Sequence, residues 1–237
     1  MYESGRGLVA LAEILVDGFD LPAQRNLLTA KCADLLDVGA AALLGLDIDG
    51  AQVVEAASEE TAELLARFEL AYEQGPGVDA LRTGECVECT DLTNATLRWP
   101  QFAPLALEAG VAAGFGLPCR LRDEVVGAMT LYVNVPGPLP EGSEELRHGL
   151  VNVVTLGVTA HRGREMAVRA GQLQSALDTR VAIEQAKGML AERENVTVDE
   201  AFTVLRNYAR KNGVKMRLVA EDVVKGVLTI PATYRPN

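Results

Sequence analysis

The sequence predicts an α+β fold in the N-terminal part of the chain and a separate bundle of three short helices at residues 180–228. Up to about residue 160, short apolar runs bounded by turn residues alternate with helical patterns, which predicts a central antiparallel sheet with helices on one side. From residue 180 onward, apolar residues recur only at helical spacing. With 49% hydrophobic and 23% charged residues, a chain of 237 residues can form two units with a core each.

A helix and a β-hairpin are the first predicted elements. Apolar residues at helical spacing predict a helix over residues 22–36, with Asp20 as its N-cap. The small apolar run at residues 40–46 is followed by the turn sequence Asp47-Ile-Asp-Gly50 and then by a second run at residues 53–57. This order predicts two antiparallel strands joined by a tight turn.

The next predicted elements are shorter. Ser58 is expected to cap a helix that ends near Tyr72. A loop and a short helix follow at residues 74–84, then a strand near residues 86–90, and Phe102 lies near the beginning of another short helix. Glycine and proline separate these elements because both residues interrupt regular structure.

Two longer strands and a long helix complete the N-terminal unit. Residues 114–122 and 125–133 are predicted as strands joined by a tight turn, and the second alternates as a half-buried strand does. From Ser143 to Arg193 the sequence contains no proline. A helix that begins at Ser143 is therefore expected to continue, with interruptions at glycines, into the C-terminal unit.

An apolar group late in this helix predicts a homodimer. An earlier group of valines is expected to pack on the sheet, whereas the later group has no evident partner within one chain. Its helical spacing suits a contact between two parallel helices. The later group consists of Leu173, Leu177 and Val181.

Each of the three C-terminal helices carries an apolar stripe. The first stripe contains Ile183, Ala186 and Leu190. The second helix opens with a capping box formed by Thr197 and Glu200 and ends at Asn212-Gly213, a pair suited to helix termination. The expected apolar faces of the second and third helices are Val198, Ala201, Phe202, Leu205 and Ala209, and Met216, Val219, Ala220, Val223 and Val224.

Charge is distributed unevenly along the chain. The net charge is −11, from 22 basic and 33 acidic residues. From Gln172 onward there are 10 basic and 8 acidic residues, a net of +2, which leaves 12 and 25 in the preceding residues, a net of −13. Because overall acidity repels phosphate, binding of nucleic acid requires a local basic face.

Four motifs in the C-terminal stretch carry a family resemblance. They are Ile183-Glu-Gln-Ala-Lys-Gly188, Asp199-Glu-Ala-Phe202, the Leu-Arg-x-x-Ala run at 205–209 and the Val-Ala…Val-Val pattern at 219–224. Together they resemble the ANTAR family, the RNA-binding antitermination module of bacterial regulators. The resemblance implies a three-helix unit that binds paired RNA stem-loops with six-base loops and competes with a transcription terminator. Leu218 stands where a polar residue is expected.

The candidate RNA contacts are the basic side chains of this unit, with one aromatic residue and one glycine. Tyr208 and Arg206 are candidates for stacking on unpaired bases, although Tyr208 could equally pack in the core. Exposed charges are commonly no more than solvated helix faces, and duplex DNA is an alternative ligand. The candidates are Arg180, Lys187, Gly188, Arg193, Arg206, Tyr208, Arg210, Lys211, Lys215 and Arg217.

Three segments of the N-terminal part resemble the GAF fold. They are Gly75-Pro-Gly77 with the following Ala80-Leu-Arg-Thr-Gly84, Asp91-Leu92 with Arg98-Trp-Pro100-x-Phe102, and Val126-Gly-Ala-Met-Thr-Leu-Tyr132. The resemblance predicts a sensor domain at residues 8–160 and a helical linker at 161–179 before the C-terminal domain. GAF domains bind varied ligands or only form dimers, so an unknown small molecule is a candidate partner and no cofactor is predicted.

Four cysteines leave a thiol enzyme as the competing interpretation. Some GAF proteins reduce free methionine sulfoxide with pocket cysteines, and Cys86, Cys89 and Cys119 keep that alternative open. A metal site at Cys86 and Cys89 is disfavoured because residues three apart on a strand face opposite sides. The residues show no other catalytic pattern, so we predict a regulator rather than an enzyme. Cysteine content and the absence of a signal sequence predict a cytoplasmic protein, since the apolar run at residues 8–16 is too short to cross a membrane.

Overall fold

The computed structural model describes residues 22–140 and 142–231. Two units are separated between Met166 and Ala167. The expected N-cap Asp20, the apolar run at residues 8–16 and the predicted start of the sensor domain lie outside the described residues.

The N-terminal unit is built on a five-stranded antiparallel sheet, as predicted. Its strands are β1 (Ala40–Leu46), β2 (Gln52–Ala57), β3 (Val87–Cys89), β4 (Ala113–Leu121) and β5 (Glu124–Val133), in the spatial order β2-β1-β5-β4-β3. Both long hairpins follow the predicted turns. The short strand β3 pairs only with β4 and therefore forms one edge of the sheet.

Four helices and one short 3₁₀ helix precede or connect these strands. They are α1 (Pro22–Leu36), α2 (Glu60–Tyr72), α3 (Pro76–Thr83), the 3₁₀ helix (Leu92–Ala95) and α4 (Phe102–Glu108). All except the 3₁₀ helix were expected from the sequence, and their observed bounds agree with the predicted ones to within a few residues.

Helices cover both faces of the sheet, so the prediction of helices on one side was wrong. On one face, α1 and the beginning of the following long helix bury Leu28, Phe115 and Leu150. On the other face, α2, α3 and α4 bury Leu65 and Tyr132. Strands β1 and β5 are buried over most of their length rather than at every second position, which is typical of strands covered on both sides. The half-buried alternation predicted for the second long strand was therefore wrong.

Ser58 does not cap α2, contrary to the prediction. Its Oγ accepts a hydrogen bond from the backbone N–H of Ala41 at 2.9 Å, and its own N–H donates to the Ala41 carbonyl. The helix begins two residues later, after Glu59, whose side chain makes no capping bond. Ser58 therefore fastens the end of the hairpin instead of the start of the helix.

The helix predicted to begin at Ser143 is α5 (Glu144–Glu194), a single element of 51 residues that contributes to both units. The interruptions expected at its glycines are not observed. At Gly163, Gly171 and Gly188 an added Cβ would meet no atom within 4 Å, so packing does not account for these glycines. None of the helices in the described part of the chain has both the length and the apolar character that crossing a bilayer requires.

The C-terminal unit consists of the end of α5, α6 (Val198–Lys211) and α7 (Met216–Val224). The predicted capping box is confirmed: Thr197 Oγ accepts from Glu200 N at 3.2 Å, and Glu200 Oε2 accepts from Thr197 N at 2.9 Å. Gly213 has a φ of 64°, which permits the turn that ends α6.

The core of this unit departs from the predicted stripes at a few positions. Val198 is 48% exposed because it occupies the first turn of α6 on the solvent side, and Val204 is buried in its place. Ile230, beyond α7, is fully buried against the bundle. Phe202, also predicted on the apolar face, is only partly buried and is not part of this core. The other predicted residues form the core or pack on it: Ile183, Ala186, Leu190, Ala201, Leu205, Ala209, Met216, Val219, Ala220, Val223 and Val224.

Candidate nucleic-acid interface

A basic segment lies between the second turn of α6 and the first turn of α7. Residues 201–220 contain five basic side chains and no acidic one. Acidic residues flank the segment at Asp199-Glu200 and Glu221-Asp222. Positive charge is therefore concentrated on one part of the unit, although the whole chain is acidic. The five basic residues are Arg206, Arg210, Lys211, Lys215 and Arg217.

Arg206 and Arg210 lie four residues apart on α6 and hence on one face of that helix. Both are exposed, and neither has an ion-pair partner among the described residues. Arg210 also occupies the last turn of α6, where a cation stabilises the helix C-terminus through the macrodipole. Lys211 and Lys215 are exposed as well, so four cations border the turn between α6 and α7.

Arg217 is held in place by two hydrogen bonds. Its Nε donates to Glu221 Oε1 at 2.7 Å, and its Nη1 donates to Ser175 Oγ of α5 at 3.1 Å. The bond from Arg217 lowers the pKa of Glu221, and Lys225 Nζ lies 3.8 Å from the same carboxylate. Arg217 thus links α7 to α5, and part of its charge is already neutralised.

Lys187 is the least available of the predicted contacts. Its side chain is only 15% exposed, and its Nζ lies 2.9 Å from both carboxylate oxygens of Glu184. The same ammonium lies 5.6 Å from the centroid of the Phe202 ring, a distance suited to a cation–π interaction. Lys187 therefore joins α5 to α6 and would contact RNA only at the cost of its pairing with Glu184.

Arg180 and Arg193 are both exposed on α5 but lie on different faces. Thirteen residues of α-helix separate their side chains by roughly 140° around the axis. One flat ligand surface cannot contact both from the same helix. Gly188 is exposed and next to Lys187, where a close approach from outside the chain meets no side chain.

Tyr208 is partly buried and packs against the core of the C-terminal unit. This favours the structural interpretation that the sequence had left open. Four residues that position the cations were not predicted from the sequence in that role: Ser175, Glu184, Phe202 and Glu221. Two of them had a signal, because Glu184–Lys187 and Arg217–Glu221 have the spacings at which helical side chains pair.

The cysteines of the N-terminal unit occupy different environments. Burial raises the pKa of both Cys32 and Cys119 to about 12, so neither thiol ionises readily. Cys86 is exposed and Cys89 is half-buried, and burial also raises the pKa of each. In the described ranges, no group of three or more His, Cys, Asp or Glu side chains is arranged to hold a metal ion.

A buried carboxyl lies beneath α3 in the same unit. Glu69 Oε2 accepts hydrogen bonds from the N–H groups of Gly77 and Val78 at 2.7 and 3.0 Å, and Oε1 accepts from the Tyr132 hydroxyl at 2.9 Å. Burial raises the pKa of Glu69 to about 7 even though these hydrogen bonds lower it. The carboxyl fastens the first turn of α3 to the sheet.

The ANTAR domain family matches residues 171–224 of the chain. The N-terminal part is similar to the GAF domain of a phosphoenolpyruvate-protein phosphotransferase from Acinetobacter, with 14% identity, coverage of 69% of this chain and 96% of that chain, and a TM-score of 0.54. It is also similar to the free methionine-R-sulfoxide reductase from Neisseria meningitidis in complex with its substrate, with 13% identity, coverage of 68% and 91%, and a TM-score of 0.51. At such identities the likeness shows the GAF fold alone. No curated protein matches the chain significantly.

Proposed function

From this GAF–ANTAR architecture, we propose that the chain is a transcription antitermination regulator whose C-terminal unit binds paired RNA stem-loops and whose N-terminal unit controls that binding. The observation that carries the proposal is the ANTAR match at residues 171–224, which includes most of the exposed cations of the C-terminal unit. Regulatory domains at both ends of the chain favour a regulator over an enzyme.

The four exposed cations at the α6–α7 turn supply the affinity in this proposal. Arg206, Arg210, Lys211 and Lys215 present positive charge that can neutralise phosphates and release counterions. Exposed base edges of an RNA loop would be read by polar side chains near this turn. Because Lys187 and Arg217 are ion-paired within the bundle, we assign them a positioning role and not a primary contact.

Dimerisation is supported by a solvent-exposed apolar stripe on α5. All side chains from Gly163 to Asp178 are exposed in the single chain. Met166, Leu173, Leu177 and Val181 are 48%, 61%, 58% and 55% exposed, and their spacing places them along one side of the helix. Pairing of two copies of α5 would remove this apolar surface from water and bring two RNA-binding units together.

Control by the N-terminal unit follows if a signal binds one dimer arrangement more tightly than another. Such a ligand shifts the population only by its difference in affinity for the two arrangements. A dimerisation scaffold without a ligand would leave RNA binding constitutive. To separate the two, the RNA affinity of the full chain is measured before and after the chain is unfolded and refolded, a treatment that removes small molecules carried over from the cell extract. Equal affinities support the scaffold.

The RNA proposal is tested by a gel shift at fixed salt. The full chain is titrated against a transcript with two hairpins that carry six-base loops and against a DNA duplex of equal length. We expect tighter binding to the RNA, because unstacked loop bases offer contacts that a duplex lacks. Equal or tighter binding to the duplex would favour the alternative of a DNA-binding regulator.

The thiol-enzyme alternative has its own test. The likeness to the Neisseria reductase extends only to the fold, and the raised pKa of Cys86, Cys89 and Cys119 disfavours the thiolates that such chemistry needs. The triple Cys→Ser variant should bind RNA as the natural chain does and neither protein should reduce free methionine sulfoxide. Reduction that disappears in the variant would establish the enzyme.

A further inference from the structure

A cleft of about 690 Å³ opens at the β3 edge of the sheet in the N-terminal unit. Its walls are the segment before β3, the outer part of β4 and the first two turns of α5. This volume lies in the range of roughly 300–1,000 Å³ that small-molecule sites occupy. The cleft lies on the face of the sheet that also carries α1, since Leu117 and Val151 of its lining belong to that core.

The opposite face, beneath α3, is closely packed among the described residues. Tyr132 and Glu69 are fully buried there and hydrogen-bonded to each other. A Cβ at Gly116 would collide with the backbone of Pro76, so α3 lies directly on the sheet. A ligand between α3 and the sheet would have to displace this packing, whereas the part of the chain that the structure describes leaves the cleft at the β3 edge open.

Arg147 is an incompletely paired cation at the cleft. Its Nη1 lies 3.5 Å from Glu88 Oε1 and its Nη2 lies 3.9 Å from Glu144 Oε1, both long for charged hydrogen bonds. Its side chain is 15% exposed, and its Nε is buried without a hydrogen-bond partner in residues 22–140 and 142–231. Because Nε itself is shielded from solvent, an anionic group of a ligand would bind at the Nη nitrogens, whose contacts to the two carboxylates are long.

The cleft carries both signs of charge. Arg120, whose Nη1 donates to the Gly84 carbonyl at 2.9 Å, adds to the positive side. Glu85, Glu88 and Glu144 supply three carboxylates. A polyanion such as a nucleotide would meet those carboxylates at close range, and a simple monocarboxylate would leave them without a partner.

We propose that this cleft binds a small zwitterion, namely an α-amino acid or a short peptide, with its carboxylate at Arg147 and its ammonium group at Glu88. The apolar side chains of Leu117 and Val151 line the cleft and can contact the remaining part of such a ligand. A regulatory effect of this ligand rests on the proposed function, but its binding does not depend on RNA.

Cys86 provides a built-in probe, because it lines the cleft and is exposed while Cys32 and Cys119 are buried. The full chain with Cys89→Ser is treated with iodoacetamide at mildly alkaline pH, without RNA, and alkylation of Cys86 is followed by mass spectrometry. Glycine and glycylglycine are the zwitterionic probes. Acetate and ethylammonium each carry one of the two charges.

We expect glycine or glycylglycine to slow alkylation of Cys86 roughly tenfold at ten times its dissociation constant, since only the unliganded protein reacts. Acetate and ethylammonium should leave the rate within a factor of about two. Arg147→Gln should raise the concentration of zwitterion needed for protection roughly 10- to 100-fold, the effect of losing a charged hydrogen bond. Arg67→Gln on α2, outside the cleft, is the matched control and should change nothing.

Three results would overturn the proposal. They are protection of Cys86 by none of the probes, protection by acetate equal to that by the zwitterions, and protection by the zwitterions that is undiminished in Arg147→Gln. If circular dichroism shows that Arg147→Gln does not fold, Glu88→Gln replaces it, because loss of the carboxylate should weaken zwitterions while leaving acetate unaffected. Since the assay contains no RNA, a failure here is distinguishable from a failure of RNA binding.

Discussion

The buried carboxyl of Glu69 makes the stability of the N-terminal unit depend on pH in an unusual direction. Its pKa is raised from 4.5 to about 7 by burial, so the folded state retains a proton that the unfolded chain releases. This contribution to stability is fully present below about pH 4.5 and is lost as pH rises through 7. A pKa shift of this size changes the free energy of unfolding by about 3 kcal/mol once Glu69 is ionised in both the folded and the unfolded state.

Glu69→Gln should remove this dependence with little change in shape. The amide oxygen can accept from the N–H groups of Gly77 and Val78, and the amide nitrogen can donate to the Tyr132 hydroxyl. The difference in free energy of unfolding between the variant and the natural chain should therefore rise by about 3 kcal/mol, in favour of the variant, from pH 4.5 to pH 8.

Urea denaturation followed by tryptophan fluorescence measures this difference. Trp99 is the only tryptophan and is buried in the N-terminal unit, so its emission reports the unfolding of that unit. Glu60→Gln, at an exposed position of the same helix, serves as the control. If the stability difference between Glu69→Gln and the natural chain is the same at pH 5 and at pH 8, Glu69 does not cause the pH dependence.

Three further predictions concern the C-terminal unit and the helix before it. Replacing Leu173 and Leu177 with glutamate should convert the dimer into a monomer of 25.3 kDa, as measured by light scattering. Leu97→Glu, at an exposed loop position, should leave the dimer intact. A natural chain that is already a monomer would contradict the dimer proposal. Thr197→Ala should cost about 1 kcal/mol and speed amide exchange in α6 roughly fivefold by mass spectrometry, and unchanged exchange would show that the capping box contributes nothing there. Changing Arg206 and Arg210 to glutamine should make the negative slope of log affinity against log salt shallower by about 1.5. An unchanged slope would exclude phosphate contacts by both residues.

Much of the fold was predictable because its signals are local. The run at 40–46, its turn at 47–50 and the following strand are specified by neighbouring residues, and the observed hairpin matches them. Which faces of the sheet are covered by helices is not specified by residues that neighbour one another in the sequence. Continuous burial of β1 and β5 indicates two covered faces, but a short apolar run by itself does not separate that arrangement from others.

The same distinction applies to the residues that carry chemistry. Glu69 looks like an ordinary helix carboxylate in the sequence, and its partner Tyr132 lies 63 residues away, so only the folded chain shows that it is buried. In the candidate interface, the basic residues were identified from the sequence as candidate RNA contacts. That Lys187 is partly buried depends on Phe202 of another helix, which no spacing within α5 reveals.

The proposed function has two copies of the chain, joined through α5, bind two RNA loops at once. To test this, the full chain is titrated with a two-hairpin transcript and with the same transcript after deletion of one loop, while native mass spectrometry counts the subunits in each complex. We expect two protein chains per two-loop RNA and a loss of affinity on the order of 10²–10⁴ when one loop is removed, because the second contact becomes intramolecular once the first has formed. One chain per RNA, or equal affinity for both transcripts, would contradict it.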